Sequence, residues 1–179
     1  MQAFFAELFE LIKDPLSPNG GVKTDNSILL IYPPEKELDF RDYLLDSFSP
    51  LLAARNVSFR LLDLSGFLFE ALDPETIQNL QEDEFDDYRW MKQGLSTRVE
   101  SALRKRITEL ANECPGGTVL AYATVALYPL VRYGEVLREL RDVNCRTVLA
   151  FPGEERGGKL HFMNQSDGGN YLAVKLFWR

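Results

Sequence analysis

The feature that most constrains the fold is a short apolar run at 27–32, whose interior reads ILLI and which is bounded by turn-forming residues. The interior does not alternate with polar side chains, and this pattern is typical of a strand buried on both faces. Further strands are predicted at 118–122 and 146–151. Strands buried on both faces occur in parallel sheets that helices cover on both sides. The pattern therefore predicts an α/β fold.

The segment after the first strand predicts a strand-helix-strand unit. A helix is expected with Asp39 as its N-cap, and Pro50 is expected to kink or split it. The stretch 57–64 then predicts a second strand. Because a helix joins the two strands, the unit implies that they pair in parallel.

The remaining segments predict a layered arrangement around this sheet. Helices are expected at the N-terminus, at 66–72, at 95–112 and at 127–142, and the N-terminal one has the apolar stripe Phe4, Phe5, Leu8, Leu11 and Ile12. The stretches 159–163 and 171–178 are interpreted as a terminal antiparallel pair. The expected fold is a single domain over 1–179. It is a three-layer sandwich with a mostly parallel, Rossmann-like sheet and a C-terminal antiparallel edge pair.

Charge is distributed unevenly along the 179 residues, whose net charge is -7. Residues 1–97 carry 8 Lys and Arg against 18 Asp and Glu, whereas residues 98–179 carry 12 against 9. An acidic chain argues against tight binding to a phosphate backbone. One helix does carry a basic group, but Glu100 and Glu109 beside it favour a solvated helix face. The group consists of Arg98, Arg104, Lys105 and Arg106.

The N-terminal residues do not resemble a targeting signal, because Glu7 and Glu10 interrupt the apolar residues and no basic segment comes before them. No apolar run approaches the roughly 20 residues of a membrane span. We therefore expect a cytoplasmic protein with no membrane association.

The sequence contains few candidate residues for nucleophilic catalysis or metal binding. His161 is the single histidine and lies in a predicted edge strand without a Gly-x-Ser-x-Gly motif, so one structural hydrogen bond is favoured over catalysis. Cys114 and Cys145 lack a second Cys or His at ligand spacing and are interpreted as small buried residues. We expect no catalytic residues, no metal and no cofactor.

Carboxylates leave one alternative open. Glycine-rich stretches at 19–21 and 116–117 precede strands, which argues against a phosphate site. The carboxyl ends of the strands should nevertheless gather acidic and hydroxyl side chains, namely Glu35, Asp63, Glu154, Thr124 and Tyr128. A small enzyme or nucleotide-binding domain could use them. Helix capping, or pairing with Arg41 or Arg132, is the favoured interpretation.

Several motifs in order carry a resemblance to a known family. They are Tyr32-Pro33-Pro34-Glu35, Tyr128-Pro129-Leu130-Val131-Arg132, Phe151-Pro152-Gly153-Glu154 and Asn170-Tyr171-Leu172-Ala173. Together they resemble the BrxB family of BREX phage-defence systems over nearly the whole chain. The turn at 122–126 has no glycine where the family tends to have one, so the chain resembles a divergent member.

The resemblance implies a small accessory protein of a multi-gene antiphage system with no assigned catalytic residues. Its implied partners are a PglZ-like alkaline-phosphatase-superfamily protein first and a BrxC-like ATPase second. Tyr128, Arg132, Glu154 and Tyr171 are expected to mark a docking surface or the scaffold beneath it, with the acidic stretch 82–87 as a second candidate dock. Pro152-Gly153 is interpreted as a tight turn that the Arg132 guanidinium can fix.

Overall fold

A computed structural model of the chain describes residues 1–16, 26–82, 88–163, 165–166 and 171–178. The expected α/β sandwich is confirmed. Five parallel strands form the sheet in the order β2-β3-β4-β1-β7. These strands are β1 Ser27–Tyr32, β2 Phe59–Asp63, β3 Thr118–Tyr122, β4 Arg146–Arg156 and β7 Val174–Phe177. Two short strands, β5 Lys159–Phe162 and β6 Gln165–Ser166, extend β4 in antiparallel fashion.

Seven α-helices lie among the described residues. They are α1 Gln2–Ile12, α2 Glu37–Tyr43, α3 Ser49–Ala54, α4 Phe67–Ala71, α5 Pro74–Glu82, α6 Tyr88–Glu113 and α7 Tyr133–Glu139. A 3-10 turn, Pro34–Lys36, precedes α2, and a second one, Thr124–Leu127, follows β3. Within the described residues, none of these helices is both long enough and apolar enough to cross a membrane.

Alternation along the strands creates two cores, one on each face of the sheet. On the first face, strand residues such as Leu30, Leu120 and Val148 pack against α1, α2 and α3. On the second face, residues such as Leu149 and Phe151 pack against α4, α6 and α7. Because β1 is buried at all six positions, it lies at the centre of both cores, as its sequence predicted.

The helix after β1 is interrupted where the sequence predicted a kink. A π-helical segment, Leu44–Phe48, joins α2 to α3, and Pro50 lies in the first turn of α3. Proline lacks an N–H, so the helical hydrogen-bond ladder must be broken near it, and a π segment is one way to absorb the break. The helix begins at Glu37, which places Asp39 in the first turn and corrects its assignment as N-cap.

The terminal strands are paired differently from the prediction. The stretches 159–163 and 171–178 do not pair with each other. Instead β5 pairs with the extension of β4, and β7 adds in parallel beside β1. The physical reason is that β4 occupies only one edge of β1, and an apolar C-terminal strand buries more surface at the other edge than in an isolated hairpin.

Three further expectations are corrected. β1 and β2 are parallel but not adjacent, since β4 and β3 lie between them. The helix expected over 127–142 is shorter, because a 3-10 turn that ends at Leu127 and a turn over 128–130 precede α7.

Two leucines were expected to face inward. Leu11 belongs to the apolar stripe of α1, and Leu51 belongs to the spacing that predicts the inner face of the helix after β1, namely Phe40, Leu44, Phe48, Leu51 and Leu52. They are 37% and 41% exposed, since each lies on the flank of its helical stripe.

Candidate functional site

The carboxyl ends of β1, β2 and β3 meet at one edge of the sheet, where ligands of parallel α/β folds usually bind. Asp63 ends β2, whereas Glu154 lies in the extension of β4, with β3 between the two strands. Since neighbouring strands are about 4.8 Å apart, the two strands are separated by roughly 10 Å. Glu35 lies exposed in the 3-10 turn after β1. The edge therefore carries the predicted carboxylates but does not gather them into one constellation.

Asp63 is held by its neighbours. Its Oδ1 accepts the Ser65 backbone N–H at 2.9 Å, and its Oδ2 accepts the Tyr122 hydroxyl at 3.1 Å. Burial raises the pKa of the Asp63 carboxyl, but the hydrogen bonds from Ser65 and Tyr122 and the charge of Arg41 outweigh it, so that the pKa is lowered. The Arg41 guanidinium lies 6.0 Å from the centroid of the Tyr122 ring. Asp63 is therefore ionised, and it links the end of β2 to the end of β3.

Tyr122 was not among the predicted site residues, whereas Arg41 was expected as a partner of the carboxylates. Burial, followed by the charge of Asp63 and its hydrogen bond, raises the pKa of the Tyr122 hydroxyl, so this group remains a donor. A signal was present in the sequence, because Tyr32 and Tyr122 both end apolar strands. A tyrosine at a strand end can keep its ring in the core while its hydroxyl reaches polar groups.

A tyrosine at the end of β1 forms a similar hydrogen bond to a carboxylate. The Tyr32 hydroxyl donates to Glu37 Oε2 at 2.5 Å, and its ring stacks on Phe40 with 4.2 Å between the ring centroids. Burial and the Glu37 charge raise the pKa of Tyr32. This contact fixes the start of α2 to the sheet.

A crevice of about 270 Å³ lies between the ends of β1 and β7 and the extension of β4. It is lined by Ile31, Tyr32, Pro33, Gly153, Glu154, Glu155, Phe177 and Trp178. The chain leaves β1 towards the α2 layer, whereas it leaves β4 towards β5, which packs in the opposite core. The crevice therefore lies where the connections diverge, which is the usual ligand position in such sheets.

The two carboxylates of this crevice already have basic partners. Glu154 forms an ion pair with Arg156, and Glu155 Oε1 lies 3.9 Å from Lys175 Nζ. The sequence indicated Glu154 but missed Glu155 and Trp178, because their proximity depends on β7 pairing with β1. The arrangement can bind a small polar group, but its carboxylates are neutralised within the chain.

Pro152 and Gly153 do not form the predicted turn, since β4 continues through both to Arg156. The turn lies at Gly157 and Gly158, whose φ values are +57° and +75°. A Cβ atom at Gly153 would collide with the His161 carbonyl of β5. The glycine therefore permits close approach of two strands, which explains the motif without a tight turn.

The segment after β3 is anchored to the second core. Thr124 Oγ1 donates to the Ala150 carbonyl at 2.8 Å, and the Tyr133 hydroxyl donates to the Thr124 carbonyl at 2.6 Å. Ala123 has φ of +56°, a left-handed conformation that favours glycine. The glycine that the resemblance led us to expect in this turn would therefore fit at Ala123.

Three predicted interaction residues surround this segment. The Tyr128 ring packs on Phe162 with 5.5 Å between the ring centroids, and among the described residues its buried hydroxyl has no hydrogen-bond partner. Arg132 is exposed, and its backbone N–H donates to Glu100 Oε1 at 2.8 Å. The Tyr171 ring meets Phe151 edge-on at 5.9 Å. Tyr128 and Tyr171 are therefore mainly scaffold, whereas the Arg132 side chain is at the surface.

The histidine and the cysteines occupy structural positions. His161 lies in β5, with Nδ1 3.2 Å from the Lys159 carbonyl. Cys114 and Cys145 are both buried and free. Burial raises the pKa of both thiols, and it is the first cause of the rise to about 12 for Cys145. Within the described ranges, no group of three or more His, Cys, Asp and Glu side chains could hold a metal ion.

The basic face of α6 forms contacts with side chains of α5, of α7 and of α6 itself. Arg98 Nη1 donates to Thr76 Oγ1 at 2.7 Å, Arg104 forms an ion pair with Glu139, and Arg106 Nη1 lies 3.4 Å from Glu109 Oε2. These contacts are those of a solvated, ion-paired helix face. Most of the acidic stretch 82–87 lies outside the described residues, which resume after Glu82 at position 88.

Comparison with known protein families gives a match that covers the ends of β2, β3 and β4 but not the end of β1. A family model described as BREX protein BrxB matches residues 61–176, which is more than half of the chain and spans β2 to β7. No curated protein matches the chain. The matched region contains the Tyr128, Glu154 and Tyr171 motifs on which the resemblance rested. The chain therefore belongs to the BrxB family and takes part in BREX defence.

Proposed function

We propose that this protein is a non-catalytic adaptor that docks a larger component of a BREX-type antiphage system in the cytoplasm. The first expected partner is the PglZ-like alkaline-phosphatase-superfamily protein, and the BrxC-like ATPase is the second. Membership of the BrxB family carries the proposal, because it connects the chain to a multi-component defence system.

The contacts that the edge carboxylates make within the chain support a non-catalytic role. Asp63 is held by Ser65 and Tyr122, and Glu154 by Arg156. A general base must be able to approach its substrate, and Asp63, whose two oxygens are both occupied within the chain, is poorly placed to do so. These groups stabilise strand ends instead.

Retention on an immobilised partner tests the proposal. The tagged PglZ-like protein of the same system should retain this chain at low salt, and the complex should elute as one species in size-exclusion chromatography. If both proteins are folded and neither the PglZ-like protein nor the BrxC-like ATPase retains the chain, the adaptor function is wrong.

The crevice of about 270 Å³ favours a second candidate function, a small enzyme or nucleotide-binding domain. Thermal unfolding in the presence of nucleotides and divalent metals distinguishes it from the adaptor. A ligand at 100 times its dissociation constant stabilises a protein by about 2.7 kcal/mol, which shifts its midpoint measurably. The adaptor proposal predicts no shift with any member of the panel.

A further inference from the structure

Strand β2 lies at one end of the five-stranded parallel sheet. Thr118 N–H donates to the Ser58 carbonyl at 3.0 Å, and Leu64 N–H donates to the Tyr122 carbonyl at 3.1 Å. Bonding residues alternate along a parallel ladder, so the even-numbered residues of this strand face β3. The backbone groups of Phe59, Leu61 and Asp63 therefore point away from the sheet.

This outer edge is open along the described part of the chain, which places no strand beside it. The Phe59 carbonyl accepts Arg60 Nη1 at 3.0 Å, and Arg60 also pairs with Glu113. An exposed strand edge is a template for pairing with another strand, unless charges, proline or a bulge obstruct it. Arg60 obstructs one end of the edge and leaves the groups of Leu61 and Asp63 available.

An apolar flank of α2 adjoins the same edge. Arg41 lies over the Tyr122 ring, so its side of α2 faces β3 and β2. Leu38 and Leu45 lie three residues before and four residues after Arg41, which places them on that side. They are 70% and 38% exposed. The sheet below contributes partly buried side chains to this surface, and we call the set Leu38, Leu45, Phe59 and Leu61 the β2-edge surface.

The net charge beside the β2-edge surface is negative, because Asp42, Asp46 and Asp63 outnumber Arg41, and Arg60 is paired with Glu113. Asp42 lies between Leu38 and Leu45 along the helix, Asp46 follows one turn later, and both are exposed. Within the described ranges neither forms an ion pair, whereas nearby Lys36 pairs with Asp39 at 3.0 Å. A second copy of this chain would bring the same acidic flank towards itself. A basic partner would complement it.

We propose that the β2-edge surface binds an extended segment of a partner protein that adds a strand to β2. Its alternate apolar side chains face Leu38 and Leu45, and at least one Lys or Arg faces Asp42 or Asp46. This mode combines backbone hydrogen bonds with side-chain contacts on one face. The inference rests on the proposed adaptor function and names the surface that performs it.

Two double variants of exposed leucines test the surface. Leu38→Lys/Leu45→Lys places two positive charges on the β2-edge surface, whereas Leu11→Lys/Leu51→Lys changes residues that are 37% and 41% exposed elsewhere in the same layer. Binding to the PglZ-like protein should weaken about tenfold or more in the first variant and stay unchanged in the second. Circular dichroism and thermal unfolding confirm that both variants are folded.

Amide hydrogen exchange tests strand addition itself. The Leu61 and Asp63 amides should exchange quickly in the free chain and slow about tenfold or more on addition of the partner, because they gain hydrogen bonds. The Leu62 amide, which already faces β3, should change little. Contact through the side chains alone would leave the exchange of Leu61 unaltered and would overturn strand addition.

The possible failures are distinguishable. If the unaltered chain binds and both double variants bind equally well, the surface is wrong and the adaptor function stands. If the unaltered folded chain binds neither proposed partner, the adaptor function fails and this inference fails with it. If light scattering shows a dimer of the chain alone that Leu38→Lys/Leu45→Lys dissociates, a second copy occupies the edge and the inference is overturned.

Discussion

Two tyrosine hydroxyls lie in opposite environments at the scale of single residues. The Tyr122 hydroxyl donates to Asp63, whereas within the described part of the chain the buried Tyr128 hydroxyl has no hydrogen-bond partner. Tyr122→Phe should destabilise the fold by about 1.5–3 kcal/mol, the usual contribution of a hydrogen bond to a charged group, and Tyr128→Phe should be neutral or stabilising. Urea unfolding of both variants measures the difference. Equal losses would contradict these assignments.

Asp63 gives a pH prediction with a definite sign. Its pKa is lower in the folded chain than the ordinary value of 3.8, so the folded state favours the carboxylate. The stability that this preference contributes is present above the ordinary pKa and is lost as the pH falls through the folded value. Asp63→Asn should therefore reduce the loss of stability below about pH 4. Acid unfolding with the same slope in both proteins would contradict this.

Ala123 tests the turn in which the chain departs from the family resemblance. A left-handed conformation costs a non-glycine residue about 1 kcal/mol or more, and a β-branched side chain fits it worst. Ala123→Gly should change the free energy of unfolding by less than about 1 kcal/mol, since relief of the backbone offsets the lost methyl group and added chain entropy. Ala123→Val should destabilise the fold by more than about 2 kcal/mol. The reverse order would contradict the φ of +56°.

At the scale of elements, the two glycines at positions 153 and 94 should respond oppositely to alanine. A Cβ atom at Gly153 would collide with the His161 carbonyl, so Gly153→Ala should displace β5 and destabilise the fold by about 1–3 kcal/mol. Gly94 lies in α6, and no atom of the described residues lies within 4 Å of an added Cβ atom. Gly94→Ala should stabilise the fold by about 0.5–1 kcal/mol. Thermal unfolding of both variants is the measurement.

Helices and strands could be predicted where the spacing of apolar residues reflects which positions are buried. The unbroken apolar run of β1 and the stripe Val99, Leu103 and Ile107 in α6 each record their surroundings directly in the sequence. α7 was predicted too long because Leu127 and Leu130 continue its apolar spacing. The structure instead places Leu127 in a 3-10 turn and Leu130 in the hydrogen-bonded turn that follows it. Spacing alone cannot distinguish these alternatives.

At the scale of the whole molecule, the order of the strands depends on pairings that no local sequence pattern indicates. Whether the segment at Val174 pairs with β5 or with β1 is decided by which free edge buries more apolar surface. The candidate site shares this dependence, since Glu154 was predicted from its motif whereas Trp178 reaches the crevice only because β7 lies beside β1. The carboxylates were predicted to gather at the carboxyl edge of the sheet, but the strand order keeps Asp63 and Glu154 apart, with β3 between their strands.

At the scale of the whole molecule, we propose that the protein serves phage defence by docking and not by chemistry at the carboxyl edge. The most direct measurement is the plating efficiency of phage on cells that carry the complete defence system. The chain is supplied unaltered, deleted, or with its edge carboxylates neutralised as Glu35→Gln/Asp63→Asn/Glu154→Gln. We predict that the neutralised variant, if it accumulates normally, restricts phage as the unaltered chain does, whereas the deletion does not. Loss of restriction in that variant equal to the deletion would contradict the account.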